Sequence, residues 1–224
     1  MLDALIFDLD GTLVDTNGMH ARAWSAVFAR HGFEVPPERV IVEIGQGGEL
    51  LVPALVGEEA EKELGEALRD GHGEEFLRRV EREPVRVFAR VRDLLGAVRE
   101  RGVALAVATA SQRDHLERVL ERAGLDLEGL ADAVIDDDDV ERPKPEPDVV
   151  AAAVRELGLP AGRCALVGDT PYDALAARRA GVVALGVLTG VHPEERLREA
   201  GARAVFVDPA DLLGRLDDAL ALRV

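Results

Sequence analysis

Six short runs of this chain are apolar throughout, at residues 4–7, 103–108, 133–135, 164–167, 182–187 and 204–207. A strand with one face in water alternates apolar and polar residues. A run apolar at every position is covered on both faces, as in a parallel sheet packed between helices. Between the runs the spacing changes to three and four. Val91, Leu94, Leu95 and Val98 precede a stop at Gly102, and Leu116, Val119, Leu120 and Ala123 precede Gly124. Segments 147–157 and 171–180 end at Gly158 and Gly181, and 209–222 closes the chain. Strand alternating with helix predicts an α/β fold, a doubly wound Rossmann-like parallel sheet.

One stretch breaks the alternation. From residue 16 to 84 no strand is legible. Segments 20–29, 37–44, 49–56 and 58–80 read as helices, with Ala23, Trp24, Val27 and Phe28 forming an apolar stripe in the first. The expected organisation is a core of residues 1–15 and 85–224 with an all-helical cap, 16–84, inserted after the first strand. This also fits the length of 224 residues, which falls between one and two domains of about 150.

In open α/β sheets ligands bind outside the carboxyl ends of the strands. The first run ends in Asp8-Leu9-Asp10-Gly11-Thr12, the second in Thr109-Ala110-Ser111, and the fourth in Gly168-Asp169-Thr170-Pro171-Tyr172-Asp173. A crossover carries Arg142-Pro143-Lys144-Pro145. Four carboxylates, a hydroxyl and an ammonium thus converge on one rim. Crowded carboxylates repel unless they share a cation, and an all-oxygen set favours Mg²⁺. A divalent ion beside a lysine, a hydroxyl and helix N-termini makes a phosphoryl pocket. Only 2 of the 27 basic residues are lysines, so Lys144 between two prolines looks chosen; a compact ammonium suits a point contact better than a planar guanidinium.

With these motifs the chain resembles the haloacid dehalogenase-like superfamily, and within it the helical-cap phosphatases akin to phosphoglycolate phosphatase and β-phosphoglucomutase. DLDGTLVDT at 8–16, Thr109, Lys144 and GDTPYD at 168–173 resemble its four motifs in order. The resemblance implies a Mg²⁺-dependent phosphate monoester hydrolase acting on a small phosphorylated metabolite. Asp8 is then the nucleophile that becomes an aspartyl phosphate. Asp10 is the general acid and then the general base, and so holds a proton above the reference value of about 3.9. Mg²⁺ falls to Asp8, Asp169 and the backbone carbonyl of Asp10, with Asp173 fixing its waters or orienting Lys144. The alternative for Asp173 is a first-turn acid complementing the helix dipole. Thr109 and Lys144 hold phosphoryl oxygens, with Gly11 and Ala110 as further phosphate-binding candidates.

The cap matches more loosely. His20, in NGMHARAW, stands where a relative's histidine contacts the general acid. Gly47 and Gly48, in the Gly-rich loop 45–49, are candidates to meet substrate through backbone N–H groups. Trp24 and Phe28 read as cap core. The mutase binds a second phosphate through an arginine after this loop, and no arginine lies between Val40 and Leu68, which disfavours a sugar-phosphate mutase. A non-enzymatic phospho-acceptor domain also pairs an acceptor Asp with Mg²⁺, Thr and Lys, but lacks an acid at the position of Asp10 and the helical insertion.

The charge balance excludes other classes. With 27 basic and 43 acidic residues the formal net charge is −16, unsuited to wrapping nucleic acid or docking on an anionic membrane. One cysteine, Cys164, permits no internal disulfide. The first residues lack a signal-peptide pattern and no apolar run reaches spanning length, so the expected location is cytoplasmic. The expected assembly is a monomer or dimer.

Overall fold

The computed structural model describes every residue except Glu128 and Val224, and at Asp138 the backbone alone. In chain order the elements are β1 (Ala4–Phe7), α1 (Asn17–Arg30), α2 (Pro37–Val40), α3 (Gly48–Val56), α4 (Glu58–Arg82), α5 (Val91–Glu100), β2 (Ala104–Ala108), α6 (Arg113–Ala123), β3 (Ala133–Ile135), α7 (Asp148–Leu157), β4 (Cys164–Gly168), α8 (Pro171–Arg179), β5 (Val183–Val187), α9 (Glu194–Ala200), β6 (Ala204–Phe206), α10 (Pro209–Gly214) and α11 (Leu216–Leu220).

The six strands form one parallel sheet in the order β3-β2-β1-β4-β5-β6, doubly wound as expected. Each strand is covered on both faces, which explains the unbroken apolar runs. Leu5, Phe7, Leu105, Val107, Val167 and Leu185 face one hydrophobic cluster, and Ala4, Ile6, Ala106, Cys164, Leu166 and Ala184 the other. The register sets Phe7 opposite both Val107 and Val167. The residues following β1, β2 and β4 therefore emerge side by side.

Helices α1 to α4 lie between β1 and α5, and α1 splits its apolar residues between two clusters. Trp24, Val27 and Phe28 join Val40, Leu51, Val52 and Leu68 in a cluster confined to the inserted helices. Met19 and Ala23 join the sheet's cluster together with Phe76 and Val80 of α4. Phe76 is fully buried there, and truncating such a side chain to Ala costs about 3–5 kcal/mol. Gly57 joins α3 to α4 at φ +96°, a conformation that suits glycine.

The elements differ from the sequence reading in four places. Helix α1 begins at Asn17, three residues early, directly after the first motif. Segment 37–44 is α2 followed by a 3-10 turn, Ile41–Glu43, as the chain bends toward the sheet. Helix α9 was not anticipated: in EERLREA only Leu197 and Ala200 are buried, too few for a legible stripe. The closing segment is two short helices, broken at Arg215, whose φ of −121° leaves the helical range. Among the described residues no helix is long and apolar enough to cross a membrane.

Candidate active site

The strand register brings Asp8, Asp10, Thr109 and Asp169 to one rim, and the loop before α7 adds Lys144. Lys144 is 1% exposed; its Nζ donates to Asp8 Oδ1 at 2.5 Å and to the Ala108 carbonyl at 3.1 Å, and lies 2.8 Å from Asp173 Oδ1. Burial opposes its charge, but Asp173 and Asp8 outweigh burial and hold it well above the usual ammonium range. Asp173 sits in the first turn of α8 and faces Lys144. Its carboxylate accepts from the Thr170 N–H at 3.1 Å while its own N–H donates to Thr170 Oγ1 at 3.2 Å, a capping box on α8.

Asp8, Asp169 and Asp173 are buried together, with one ligand atom from each within 4.8 Å of the others. Thr12 Oγ1 and Asn17 Nδ2 donate to Asp169 at 3.0 and 2.8 Å. Burial, then the neighbouring Asp173 and Asp10, push Asp8 up to about 7 despite Lys144. Burial with Asp173 and Asp8 lifts Asp169 well above the carboxylate range. Three carboxylates against one ammonium, and a buried Asn17 Oδ1 without a hydrogen-bond partner, suit a hard divalent cation. Gly11 and Gly190 make room, because a Cβ on either would lie within 2.5 Å of Asp169 Oδ2.

Asp10 departs from expectation. Burial would raise its pKa, but His20, Thr16 and Ser111 together hold it well below the usual range, so it is ionised here. Thr16 Oγ1 donates at 2.5 Å and Ser111 Oγ at 2.8 Å, while His20 Nε2 lies 3.4 Å away. Thr109 Oγ1 stands 3.4 Å from the same carboxylate and accepts from the Ser111 N–H at 3.1 Å. With its carboxylate so committed, Asp10 is outside the acidic cluster, leaving its backbone carbonyl as its offer to a metal.

A cavity of about 230 Å³ opens above this rim, between the sheet and the inserted helices; Asp8, Asp10, Thr109 and Ala110 border it from the core, and His20, Gly47 and Gly48 from the inserted segment. The Gly-rich loop is docked on the core. The Gly47 N–H donates to the Lys144 carbonyl at 3.3 Å, and a Cβ on Gly47 would sit 2.3 Å from the Pro143 ring. Beside it Tyr172 donates to Glu43 at 2.8 Å. Gly11 is corrected as a phosphate donor: its N–H is committed to the Val14 carbonyl at 2.7 Å and it does not border the cavity.

Sequence reasoning missed His72, Arg69, Ser111, Thr16 and Asn17 as site residues. His72 of α4 lies 3.2 Å from His20 Nδ1, and burial, with His20 and His115 nearby, holds it well below the usual histidine range. Trp24 belongs to the helical cluster yet also borders the cavity, stacked on His72 at 4.3 Å. Arg69 of α4 borders the cavity one position beyond the 40–68 window. Thr16 and Asn17 carried a signal, since Thr16 ends the first motif and Asn17 directly follows it.

Residues 2–181 match the profile of the haloacid dehalogenase-like hydrolases. The chain belongs to this family. It is 30% identical to the N-acetylmuramic acid 6-phosphate phosphatase of Pseudomonas aeruginosa, over 98% of this chain and 96% of that one. It is likewise 30% identical to a phosphorylated carbohydrates phosphatase of Thermotoga maritima, over 98% of this chain and 100% of that one. A hydrolase from Pseudomonas syringae superposes with a TM-score of 0.88 at 31% identity, covering 96% of this chain and 98% of its own.

Proposed function

We propose that this chain is a Mg²⁺-dependent phosphatase of small phosphorylated metabolites that works through an aspartyl phosphate on Asp8. The observation that carries the reading is the buried Lys144 set between Asp8 and Asp173 directly below a cavity that Asp8 and Asp10 border. The names of the two phosphatase relatives support it. Residues 16–84 act as the cap that closes over the substrate.

Asp8, Asp169, the Asp10 carbonyl and, through water, Asp173 would hold Mg²⁺; when bound, it neutralises phosphoryl charge and keeps Asp8 ionised. An Asp8 carboxylate oxygen attacks phosphorus, the ester P–O bond breaks, and the leaving oxygen takes a proton from Asp10. Lys144 and Thr109 hold phosphoryl oxygens in place. Asp10 then takes a proton from water as that water attacks phosphorus, which releases phosphate and restores Asp8.

An ionised Asp10 suits the second step as it stands. For the first it must gain a proton, and an incoming phosphate dianion raises its proton affinity through like-charge repulsion. His20, braced by His72, sits where it can lose contact with Asp10 as the cap moves. Arg69 does not turn the reading toward a mutase, because its guanidinium is engaged by Glu61 at 2.6 Å and faces Glu49 at 3.6 Å.

The test is phosphate release from p-nitrophenyl phosphate with Mg²⁺ or with chelator. Steady release that needs Mg²⁺ and vanishes in Asp8→Asn supports the reading. Absence of release, or release unchanged in Asp8→Asn, contradicts it.

A further inference from the structure

Thr16 and Asn17 stand at the start of α1, where a polar side chain ordinarily accepts from a backbone N–H of the first turn. Here no side chain caps the helix. Thr16 Oγ1 donates instead to Asp10 at 2.5 Å, and Asn17 Nδ2 to Asp169 Oδ2 at 2.8 Å. Both residues are buried. A capping role therefore does not account for Asn17.

The amide is seated against Gly11, where a Cβ would lie 2.1 Å from Asn17 Nδ2 and 2.8 Å from its Cγ. Donation to Asp169 fixes which end of the amide is oxygen. That oxygen, Oδ1, is buried and has no hydrogen-bond partner among the described residues. Leaving a buried acceptor unpaired costs free energy that an apolar side chain of the same shape avoids. The two polar atoms of an amide are about 2.3 Å apart. With the 2.8 Å bond, Oδ1 thus lies within about 5 Å of Asp169 Oδ2, beside the cluster of Asp8, Asp169 and Asp173.

Resting on the reading of a Mg²⁺ site at this cluster, we infer that Asn17 Oδ1 accepts a hydrogen bond from a water of the Mg²⁺ shell, which makes Asn17 a positioning residue for the metal. Mg²⁺ gives up its waters reluctantly and keeps several when bound. Those waters are donors, and in a buried site each O–H needs an acceptor. Thr12 and Thr170 spend their hydroxyl protons on Asp169 and Asp173. Asn17 supplies an acceptor without adding a fourth charge to three crowded carboxylates. Partners of this kind typically change metal affinity 10- to 100-fold when removed.

The test is calorimetric titration of Mg²⁺ into metal-stripped protein at pH 8, with thermal melts in chelator and in saturating Mg²⁺. Asn17→Ala is expected to bind Mg²⁺ about tenfold or more weakly than wild type, and to lose more Tm in Mg²⁺ than in chelator. Asn17→Asp keeps an oxygen at this place but loses the Nδ2 donor. It is expected to bind within about threefold of wild type, or more tightly. Unchanged affinity in Asn17→Ala overturns the inference. So does a Tm loss as large in chelator as in Mg²⁺, which would make Asn17 a residue of the fold alone. Asn17→Asp binding as weakly as Asn17→Ala also overturns it, because Asn17 would then act only through its bond to Asp169. Absence of Mg²⁺ binding by wild type overturns the metal reading itself, and this inference with it.

Discussion

Lys144 Nζ donates to Asp8 Oδ1 at 2.5 Å and stands 2.8 Å from Asp173 Oδ1, with both partners buried. One ammonium thus ties the end of β1 to the first turn of α8. Replacing one member of a buried ion pair leaves the other charge uncompensated, typically at a cost of about 3–5 kcal/mol. Lys144→Met should lose turnover and should unfold at lower urea when measured at pH 8 in chelator. Because Asp8 and Asp169 can relieve the repulsion by taking protons, the loss should be smaller at pH 6. An equal loss at both pH values would contradict the pairing.

Asp8 and Asp169 titrate above their unfolded values, so the metal-free fold favours their neutral forms. The stability from this source is complete below about 4; the part due to Asp8 is lost as pH rises through about 7, and the part due to Asp169 is lost well above the usual carboxylate range. Mg²⁺ competes with those protons. The increase in Tm on adding Mg²⁺ should therefore grow from pH 5 to pH 8 and level off above. Thermal melts at matched ionic strength with Mg²⁺ or chelator measure it. An increment independent of pH would place the ion elsewhere.

The Asp10 carboxylate is held below its unfolded value, so its sign is opposite. Its stabilisation is present above about 4 and is lost as pH falls toward the lowered folded value. Hydrogen bonds to a charged group contribute about 1.5–3 kcal/mol each. His20→Ala removes one such partner and should shift acid unfolding, followed by circular dichroism, to higher pH. An unchanged acid midpoint would mean that His20 does not support the charge of Asp10.

Gly47 lies where the inserted helices touch the core, and a Cβ there would overlap the Pro143 ring. Gly47→Ala should prop the cap open. Small-angle scattering should report a larger radius of gyration, and kcat/KM for phosphate esters should fall by about tenfold or more. A variant as compact and as active as wild type would show that the loop gives way without cost.

The parallel sheet was legible because burial on both faces writes itself into consecutive residues, as in ALIF of β1 and ALAVA of β2. Asp8, Thr109 and Asp169 were legible for the same reason, as the first polar residues after such runs. Lys144 stood out through its rarity in an arginine-rich chain. What stayed hidden depends on contacts between distant segments. Ser111 and Thr16 meet on Asp10 only once β2 and the start of α1 are in place, so the sign of Asp10's pKa shift could not be read from the proximity of Asp8 alone. His72 and Arg69 sit in a charged helix whose inward face is set by packing on α1 and α3, and no local pattern marks them. Helix α9 buries two small stretches of side chain and leaves no periodic trace.

The mechanism turns on Asp8 carrying the phosphoryl group. The most direct measurement is intact-protein and peptide mass spectrometry on the Asp10→Asn variant, acid-quenched after mixing with Mg²⁺ and p-nitrophenyl phosphate, whose nitrophenolate leaves without the proton Asp10 would supply. With water activation removed, the phosphoenzyme should outlive its formation. A mass gain of one phosphoryl group is expected on the peptide containing Asp8, absent when Asp8→Asn is added. Phosphate release by wild type with no phosphorylated Asp8 trapped in the variant, or a label on any other residue, would contradict it.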